Sequence, residues 1–194
     1  MANDKPTLWE VGWKCGWRTT RKSNGQYPIP CRLMLSATRS RWGQRLGQGE
    51  VYYKKVVKPV LHSFMGFVFE EMCRYYTLMK GITGEYGCFI TSVGTWWGVE
   101  NVTDKNGDMR SQSADIDIVA LSEIDKKAVI GECKFKNEKI DKGIYETLIR
   151  RGKLINAKYK VSKYLFFSLS GYTDWFEELA DEDVLLLTLD SLYE

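Results

Sequence analysis

The stretch SADIDIVALSEIDKKAVIGECKF, residues 113–135, decides the fold of this chain. Two segments within it, Ser113–Leu121 and Ala128–Phe135, are rich in Val and Ile, which is typical of β-strands. The segment between them, Glu123–Lys127, is short and polar. Segments of this kind join antiparallel neighbours, so the sequence predicts a hairpin of two adjacent strands.

Charged side chains of this hairpin are expected to meet on one face of the sheet. Successive strand residues point to opposite faces, so Glu132 and Lys134 share a side of their strand. Asp115 and Asp117 likewise share a side, opposite the two isoleucines of their strand. Because the strands are neighbours, Asp117 is expected beside Glu132. Asp115 either supports Lys134 or faces water, and it stays outside the predicted site.

Two carboxylates and an ammonium group are costly inside a flanked sheet unless the charges pair or hold a metal. Carboxylate oxygens are hard ligands that suit Mg²⁺ or Mn²⁺, ions that also keep water molecules and bind phosphate oxygens. A metal held by Asp117 and Glu132 would activate a bound water, and Lys134 would orient that water and offset transition-state charge. The predicted chemistry is hydrolysis of a phosphodiester.

The segments around the hairpin predict a mixed α/β sheet flanked by helices. A helix is expected over Pro59–Lys80, because apolar residues recur there every three or four positions and Gly81 supplies an end. Its apolar stripe comprises Val60, Phe64, Val68, Met72, Tyr75 and Met79. The other predicted elements are, in chain order, a strand (Gly94–Glu100), the hairpin, a helix (Asp141–Lys158), a strand (Ser162–Leu169), a short helix (Thr173–Ala180) and a last strand (Val184–Leu189).

Charge divides the chain into two regions. Among residues 1–60 there are 12 Lys and Arg against 3 Asp and Glu, whereas residues 61–194 hold 16 against 22. We therefore predict a basic region rich in Trp, Arg and Gly over residues 1–55 and a folded domain over residues 56–194. A basic arm beside an acidic domain suits contact with a polyanion such as DNA.

Other features of the sequence exclude several classes of protein. Five cysteines without C-x-x-C pairing and a single histidine make disulfides and a zinc site poor expectations. The chain has no apolar run near the roughly 18 residues that a membrane span needs, and no secretory signal begins it. We expect a cytoplasmic protein without a membrane partner. Of the adjacent Trp96 and Trp97, one is expected in the core, while either would be able to stack on a nucleobase.

The spacing of Asp117, Glu132 and Lys134 resembles the D…E-x-K motif of PD-(D/E)xK phosphodiesterases, which have the restriction-endonuclease-like fold. Glu132 follows Asp117 by 15 positions, and Lys134 comes two positions later. More narrowly, the chain from Val56 onward resembles domain of unknown function 234, the uncharacterised C-terminal domain that follows an AAA-type ATPase module in many archaeal and bacterial proteins. The segments that carry this likeness are VVKPVLHSFMGFVFEEMC (56–73), TWWG (95–98), DIDIVA (115–120), GECKFKNE (131–138) and FSLSGYT (167–173).

The resemblance implies a nuclease core of order α-β-β-β-α-β, Mg²⁺ or Mn²⁺ as cofactor and DNA as partner. It also implies a helix glutamate as an outer metal ligand, because Gly66 and Glu70 have the G-x-x-x-E spacing of some members. Helical periodicity instead favours Glu71, which falls inside the apolar stripe. We take Glu70, since a residue on the flank of the stripe can reach the rim of the sheet. Many members pair to cut two strands, so a homodimer is a further expectation.

One departure from the family leaves two functions open. The sequence contains no G-x-x-x-x-G-K-[ST] motif, so we expect the ATPase half of the usual protein to be absent and an ATPase to be a partner. The intact Asp117, Glu132 and Lys134 favour a metal-dependent DNA nuclease. The missing ATPase half favours the alternative, a catalytically silent nuclease-fold module that binds a partner protein or DNA.

Overall fold

The structure, a computed structural model, describes residues 49–103, 107–155, 158–179 and 181–193. The chain divides into two compact units, residues 1–69 and 70–194. Of the basic region predicted over residues 1–55, only residues 49–55 are described, and they are helical; the rest lies outside the described residues. The domain boundary at residues 55–56 stays a prediction. No helix within the described ranges is long and apolar enough to cross a membrane.

Three α-helices are described, and one of them crosses the boundary between the two units. They are α1 (Gly49–Tyr52), α2 (Lys58–Ile82) and α3 (Lys142–Gly152), with a π-helical segment (Tyr53–Val57) between the first two. Helix α2 confirms the helix predicted over Pro59–Lys80. Asp141 is the N-cap of α3. Its carboxylate accepts the backbone N–H of Ile144 at 3.1 Å, which satisfies one of the unpaired donors of the first turn.

A five-stranded mixed sheet forms the centre of residues 70–194. Its strands are β1 (Ser92–Thr103), β2 (Met109–Ser122), β3 (Lys127–Lys134), β4 (Lys160–Ser168) and β5 (Val184–Thr188). They lie in chain order, antiparallel from β1 to β3 and parallel from β3 to β5. All five predicted strands are confirmed, and so is the mixed α/β class.

Helices cover both faces of the sheet. On one face, Leu148 of α3 packs with Ile130 and Phe166 in the main hydrophobic cluster. On the other face, the part of α2 beyond residue 69 lies against Phe167, whose ring meets that of Tyr76 edge to face with centroids 5.9 Å apart. Because Phe166 and Phe167 are consecutive in β4, they point to opposite faces, which assigns α3 and this part of α2 to opposite sides of the sheet.

Strand β2 contains one extra residue near Asp117. Its pairing with β1 advances three residues, from Val119 to Ile116, while β1 advances two. A bulge of this kind breaks the alternation of side chains along the strand. Ile116 therefore packs in the same cluster as Ile130, whereas a Cβ on Gly131 would come within 3.3 Å of the Ile118 Cβ. The prediction that the two isoleucines share a face is wrong, because strict alternation does not anticipate the bulge.

The buried stripe of α2 beyond residue 69 consists of small residues. Cys73, Thr77 and Gly81 are buried, whereas Tyr75 and Met79 of the predicted stripe are exposed. The reason is close packing: a Cβ on Gly81 would lie 2.3 Å from Ile90 Cγ1. Hydrophobic periodicity measures apolarity and not size, so it rotates the predicted stripe away from the residues that fit against the sheet.

Two of the predicted helices are shorter than expected. The helix predicted over Asp141–Lys158 ends at Gly152. Because Gly152 has no side chain, the Ile130 side chain can pack against its backbone, and a Cβ there would lie 2.9 Å from Ile130 Cδ1. The helix predicted over Thr173–Ala180 is only a 3₁₀ turn, Asp174–Phe176. This turn places Phe176 in the core, where its ring packs against that of Phe166. One turn is enough for that contact.

Candidate functional site

Asp117 lies where the ladder between β2 and β3 ends. The last paired residues are Ile118 and Gly131, and just beyond them Asp117 Oδ2 accepts the backbone N–H of Cys133 at 2.8 Å. Arg74 of α2 donates a hydrogen bond to the backbone carbonyl of Asp117 at 2.9 Å. The bulge in β2 and these two contacts fix the carboxylate at the opening between the strands.

Glu132 and Lys134 stand at the end of β3, on the face that carries Ile130. The Lys134 ammonium donates a short hydrogen bond to Glu132 Oε1, and both side chains are largely buried. Cys133, between them, is buried and points to the other face, as expected for a core residue. The pair and Asp117 therefore lie at the same edge of the sheet.

Glu70 of α2 joins the three residues of the hairpin. Its carboxylate is half-buried and lies 3.8 Å from the Arg74 guanidinium. Burial and the negative charge of Asp117 raise the pKa of Glu70 from 4.5 to about 7, and Glu132 adds to this effect. Glu71, in contrast, is exposed and pairs with Arg74 at 2.7 Å. The charges of Asp117 and Glu132 therefore act on Glu70.

Three carboxylates, which we call the carboxylate cluster, influence one another's surroundings at this site. They are Glu70, Asp117 and Glu132. Burial raises the pKa of Asp117, although the Cys133 N–H and Lys134 oppose it. Burial and Asp117 raise the pKa of Glu132, against the pull of Lys134. For Lys134, burial lowers the pKa, but the charges of Glu132 and Asp117 outweigh it and raise the pKa. Asp117 thus makes the ionised forms of both Glu70 and Glu132 less favourable.

The donor chemistry of this cluster fits a hard divalent cation. Mutually repelling carboxylates are relieved by a cation between them, and oxygen is the ligand that Mg²⁺ and Mn²⁺ prefer. A carboxylate has two oxygens with about four acceptor positions, so the contacts to Cys133 and Lys134 leave further acceptor capacity. Within the described ranges, no group of three or more His, Cys, Asp or Glu side chains is arranged so that it could hold a metal ion. A bound ion would therefore need Glu132 to turn from Lys134.

Sequence reasoning missed the arginines around the site. Arg74 lies one helical turn after Glu70, so the i, i+4 spacing was the available signal. Arg150 and Arg151 of α3 both bind Glu100 of β1, a carboxylate with 2% of its side chain exposed. A glutamate at the end of a predicted strand gave no sign of burial. Arg151 also lowers the pKa of Glu132 by its charge, though less than Lys134 does.

Comparison with known proteins places the chain in a family. A family described as archaeal and bacterial proteins of unknown function, domain of unknown function 234, matches residues 38–146, more than half of the 194 residues. The chain belongs to this family. The match includes Glu70, Asp117, Glu132 and Lys134, so the whole candidate site lies within the domain of unknown function 234.

A relative of this domain occurs in Methanocaldococcus jannaschii. The uncharacterized protein MJECL04 is 27% identical over 101 residues, which are 51% of this chain and 20% of the relative. The chain therefore matches about a fifth of the length of that protein. No solved structure matches the chain.

Proposed function

We propose that this domain is a metal-dependent phosphodiesterase that hydrolyses DNA, with the restriction-endonuclease-like topology of the PD-(D/E)xK superfamily. The observation that carries the proposal is the carboxylate cluster: Asp117 accepts the Cys133 N–H next to the Glu132–Lys134 pair, and burial together with the charge of Asp117 raises the pKa of both Glu70 and Glu132. The order of helices and strands supports it, since helix α2, strands β1 to β3, helix α3 and strand β4 follow the α-β-β-β-α-β order.

The residues divide the work between binding and positioning. Asp117 and Glu132 would hold Mg²⁺ or Mn²⁺, with Glu70 as an outer ligand. The ion, when bound, supplies a water of lowered pKa and neutralises charge on the phosphate. Lys134, at the same edge of the sheet, would orient the attacking water and offset the charge that develops on the phosphate oxygens. Arg74, which donates a hydrogen bond to the backbone carbonyl of Asp117, would hold β2 in place at the point where its pairing with β3 ends.

A plasmid-nicking assay with Mg²⁺ or Mn²⁺ tests the proposal. The wild-type chain is expected to nick supercoiled DNA, and Asp117→Asn and Lys134→Ala should each lower the rate by at least about 100-fold, the effect of removing one group that stabilises a transition state. Matched controls are Asp174→Asn and Lys136→Ala, which remove the same charges from exposed positions outside the site. Both controls should nick within about threefold of the wild type.

Two results would contradict the nuclease. Nicking that survives Asp117→Asn and Lys134→Ala would come from a contaminant. An absence of nicking in the wild type, together with heat of Mn²⁺ binding that Asp117→Asn does not change, would favour the catalytically silent module instead. The bond between Lys134 and Glu132 is the observation that favours this second function, because the two groups already satisfy each other. An ATPase partner and a homodimer remain proposals that neither result decides.

A further inference from the structure

Strands β1 and β2 extend beyond the rest of the sheet as a two-stranded ribbon. Pairing between them continues from Trp97 with Asp115 to Thr103 with Met109, whereas β2 pairs with β3 only from Ile118 onward. From Trp97 and Asp115 to Thr103 and Met109, the ribbon therefore has no third strand beside β2 among the described residues. It leaves the sheet at the end where Asp117 stands.

The two faces of this ribbon differ. On one face, Glu100 is buried and binds Arg150 and Arg151 of α3. The opposite face, which we call the outer face, carries alternate residues of both strands, which pair across the ribbon and are all exposed. These residues are Trp97, Val99 and Asn101 of β1 with Asp115, Ser113 and Ser111 of β2.

Trp97 is the most unusual residue of the outer face. Its side chain is 77% exposed, and that of its neighbour on the face, Val99, is 64% exposed. The adjacent Trp96 packs against the hydrophobic cluster of α3, which confirms that one tryptophan of the pair lies in the core. Because Trp97 alternates with Trp96, it points to the other side of the sheet, where α2 carries Glu70 and Arg74. An indole so exposed does little for the fold and is available to a ligand.

The backbone of Trp97 lies close to that of Asp117. Trp97 opposes Asp115, and Asp117 comes two residues later in β2. Neighbouring strands are about 5 Å apart and each residue adds about 3.3 Å, so the Cα atoms of Trp97 and Asp117 are about 8 Å apart. A stacked strand advances about 3.4 Å per nucleotide, so this separation corresponds to two to three stacked nucleotides, or to fewer where the strand is extended.

The chemistry of the outer face matches a nucleobase. An indole stacks on the π-face of any base, and Ser and Asn side chains can donate or accept hydrogen bonds at base edges. The acidic group of the face, Asp115, is paired with Arg151 at 3.0 Å, which reduces its repulsion of a phosphate backbone. At the cluster end of the ribbon, Arg74 and Lys134 are already paired with Glu71 and Glu132, so binding to the outer face rests on stacking and on hydrogen bonds to the base. The faces of bases inside a duplex are covered by their neighbours, whereas an unpaired base exposes them.

We infer that the outer face of the β1–β2 ribbon binds a nucleic-acid strand with an unpaired base stacked on Trp97, a few nucleotides from the phosphate that is hydrolysed at the carboxylate cluster. The substrate class is therefore single-stranded DNA or DNA with an unpaired segment beside the cleaved bond. This inference rests on the proposed function for the position of the cleaved phosphate, but not for the binding itself.

Fluorescence anisotropy with the full chain tests the inference without any cleavage. The probes are a labelled single-stranded oligonucleotide and a hairpin duplex of matched sequence, both at low salt and in a chelator that prevents metal-dependent hydrolysis. Wild type should bind the single strand more tightly than the duplex. Trp97→Ala should weaken single-strand binding by about 5- to 100-fold, and Trp97→Phe, which keeps an aromatic face, by less than about fivefold.

Ile124→Ala is the matched control, since Ile124 is also a well-exposed apolar residue but lies at the turn between β2 and β3. It should bind within twofold of wild type, and Trp97→Ala should melt within about 2 °C of wild type because the indole is exposed. Equal binding by wild type and Trp97→Ala would overturn the inference, as would duplex preference or no single-strand binding by wild type. A Trp97→Ala variant that only loses self-association in sedimentation would instead assign the outer face to a second copy.

The outcome separates the two proposals. Wild-type binding that depends on Trp97, without nicking under any metal condition, would support the ribbon as a binding site and contradict the proposed nuclease activity. Nicking that requires Asp117 but is indifferent to Trp97 on single-stranded substrates keeps the nuclease and removes the ribbon from substrate binding.

Discussion

Glu100→Gln gives the sharpest stability prediction, because the replacement keeps the shape of a buried side chain and removes its charge. Glu100 accepts hydrogen bonds from Arg150 Nε at 2.8 Å, Arg151 Nε at 3.3 Å and Gln112 Nε2 at 3.0 Å. The Arg150 bond, working against burial, holds the pKa of Glu100 at about 2, below its ordinary 4.5. That difference corresponds to about 3 kcal/mol of folding stability at neutral pH.

The expected loss in Glu100→Gln is about 2 kcal/mol, since Arg150 is 45% exposed and solvent screens its share of the interaction. A lowered pKa in the folded state gives stability that is complete above pH 4.5 and lost as the pH falls towards 2. The variant and the wild type should therefore differ at pH 7 and converge near pH 2.5. Urea unfolding followed by circular dichroism at both pH values measures this difference.

Glu138→Gln, which removes an exposed carboxylate, is the control and should stay within about 0.5 kcal/mol of wild type at both pH values. The reasoning is refuted if Glu100→Gln unfolds within 0.5 kcal/mol of wild type at pH 7. It is also refuted if the loss is as large at pH 2.5 as at pH 7, because a charge-independent loss would come from packing.

Two further predictions concern α2. Glu70→Gln removes one of three clustered carboxylates, so in a chelator the variant should melt at a higher temperature than wild type, and Mn²⁺ should stabilise it less than it stabilises wild type. The control Glu71→Gln should show neither effect. A lower melting temperature for Glu70→Gln in the chelator would contradict repulsion among the carboxylates. Gly81→Ala should lower the free energy of unfolding, measured in urea, by about 1–3 kcal/mol, because its Cβ would lie 2.3 Å from Ile90 Cγ1. The control Gly66→Ala, whose Cβ would have nothing within 4 Å, should raise it by up to about 1 kcal/mol. Equal stabilities of the two variants would contradict the close packing at Gly81.

The sequence predicted most of the sheet because its strands are long and distinctive. Ala128–Phe135 and Ser162–Leu169 contain runs of apolar residues that only a covered sheet can bury, and their strands lie within one or two residues of the prediction. The predicted start of the helix at Asp141 is confirmed, since Asp141 is the N-cap of α3.

The candidate site was predictable only in part, because its geometry depends on the packing of distant segments. The adjacency of Asp117 and Glu132 followed from a hairpin, which is a local structure. The bulge that separates Ile116 from Ile118 has no local signal in ADIDIVA, and it decides which way Asp117 points. The face of α2 depends on the size of the residues that fit against the sheet, which apolar periodicity does not measure.

Burial of charge is the property that sequence patterns conveyed least. Glu100 occupies a strand position that could equally face water, and only the return of α3 with Arg150 and Arg151 makes its burial favourable. Glu70 and Glu71 differ by one position, and their environments differ because α2 turns by about 100° per residue. The half-buried residue beside Asp117 is Glu70.

Anomalous diffraction from crystals of the full chain soaked in Mn²⁺ tests the central claim most directly. We predict one strong anomalous peak between the carboxylates of Asp117 and Glu132, with oxygen ligands at about 2.0–2.4 Å and Glu132 turned away from Lys134. The claim is contradicted if saturating Mn²⁺ leaves no peak at this position while Glu132 stays bound to Lys134, or if Asp117 and Glu132 point to different sides of the sheet.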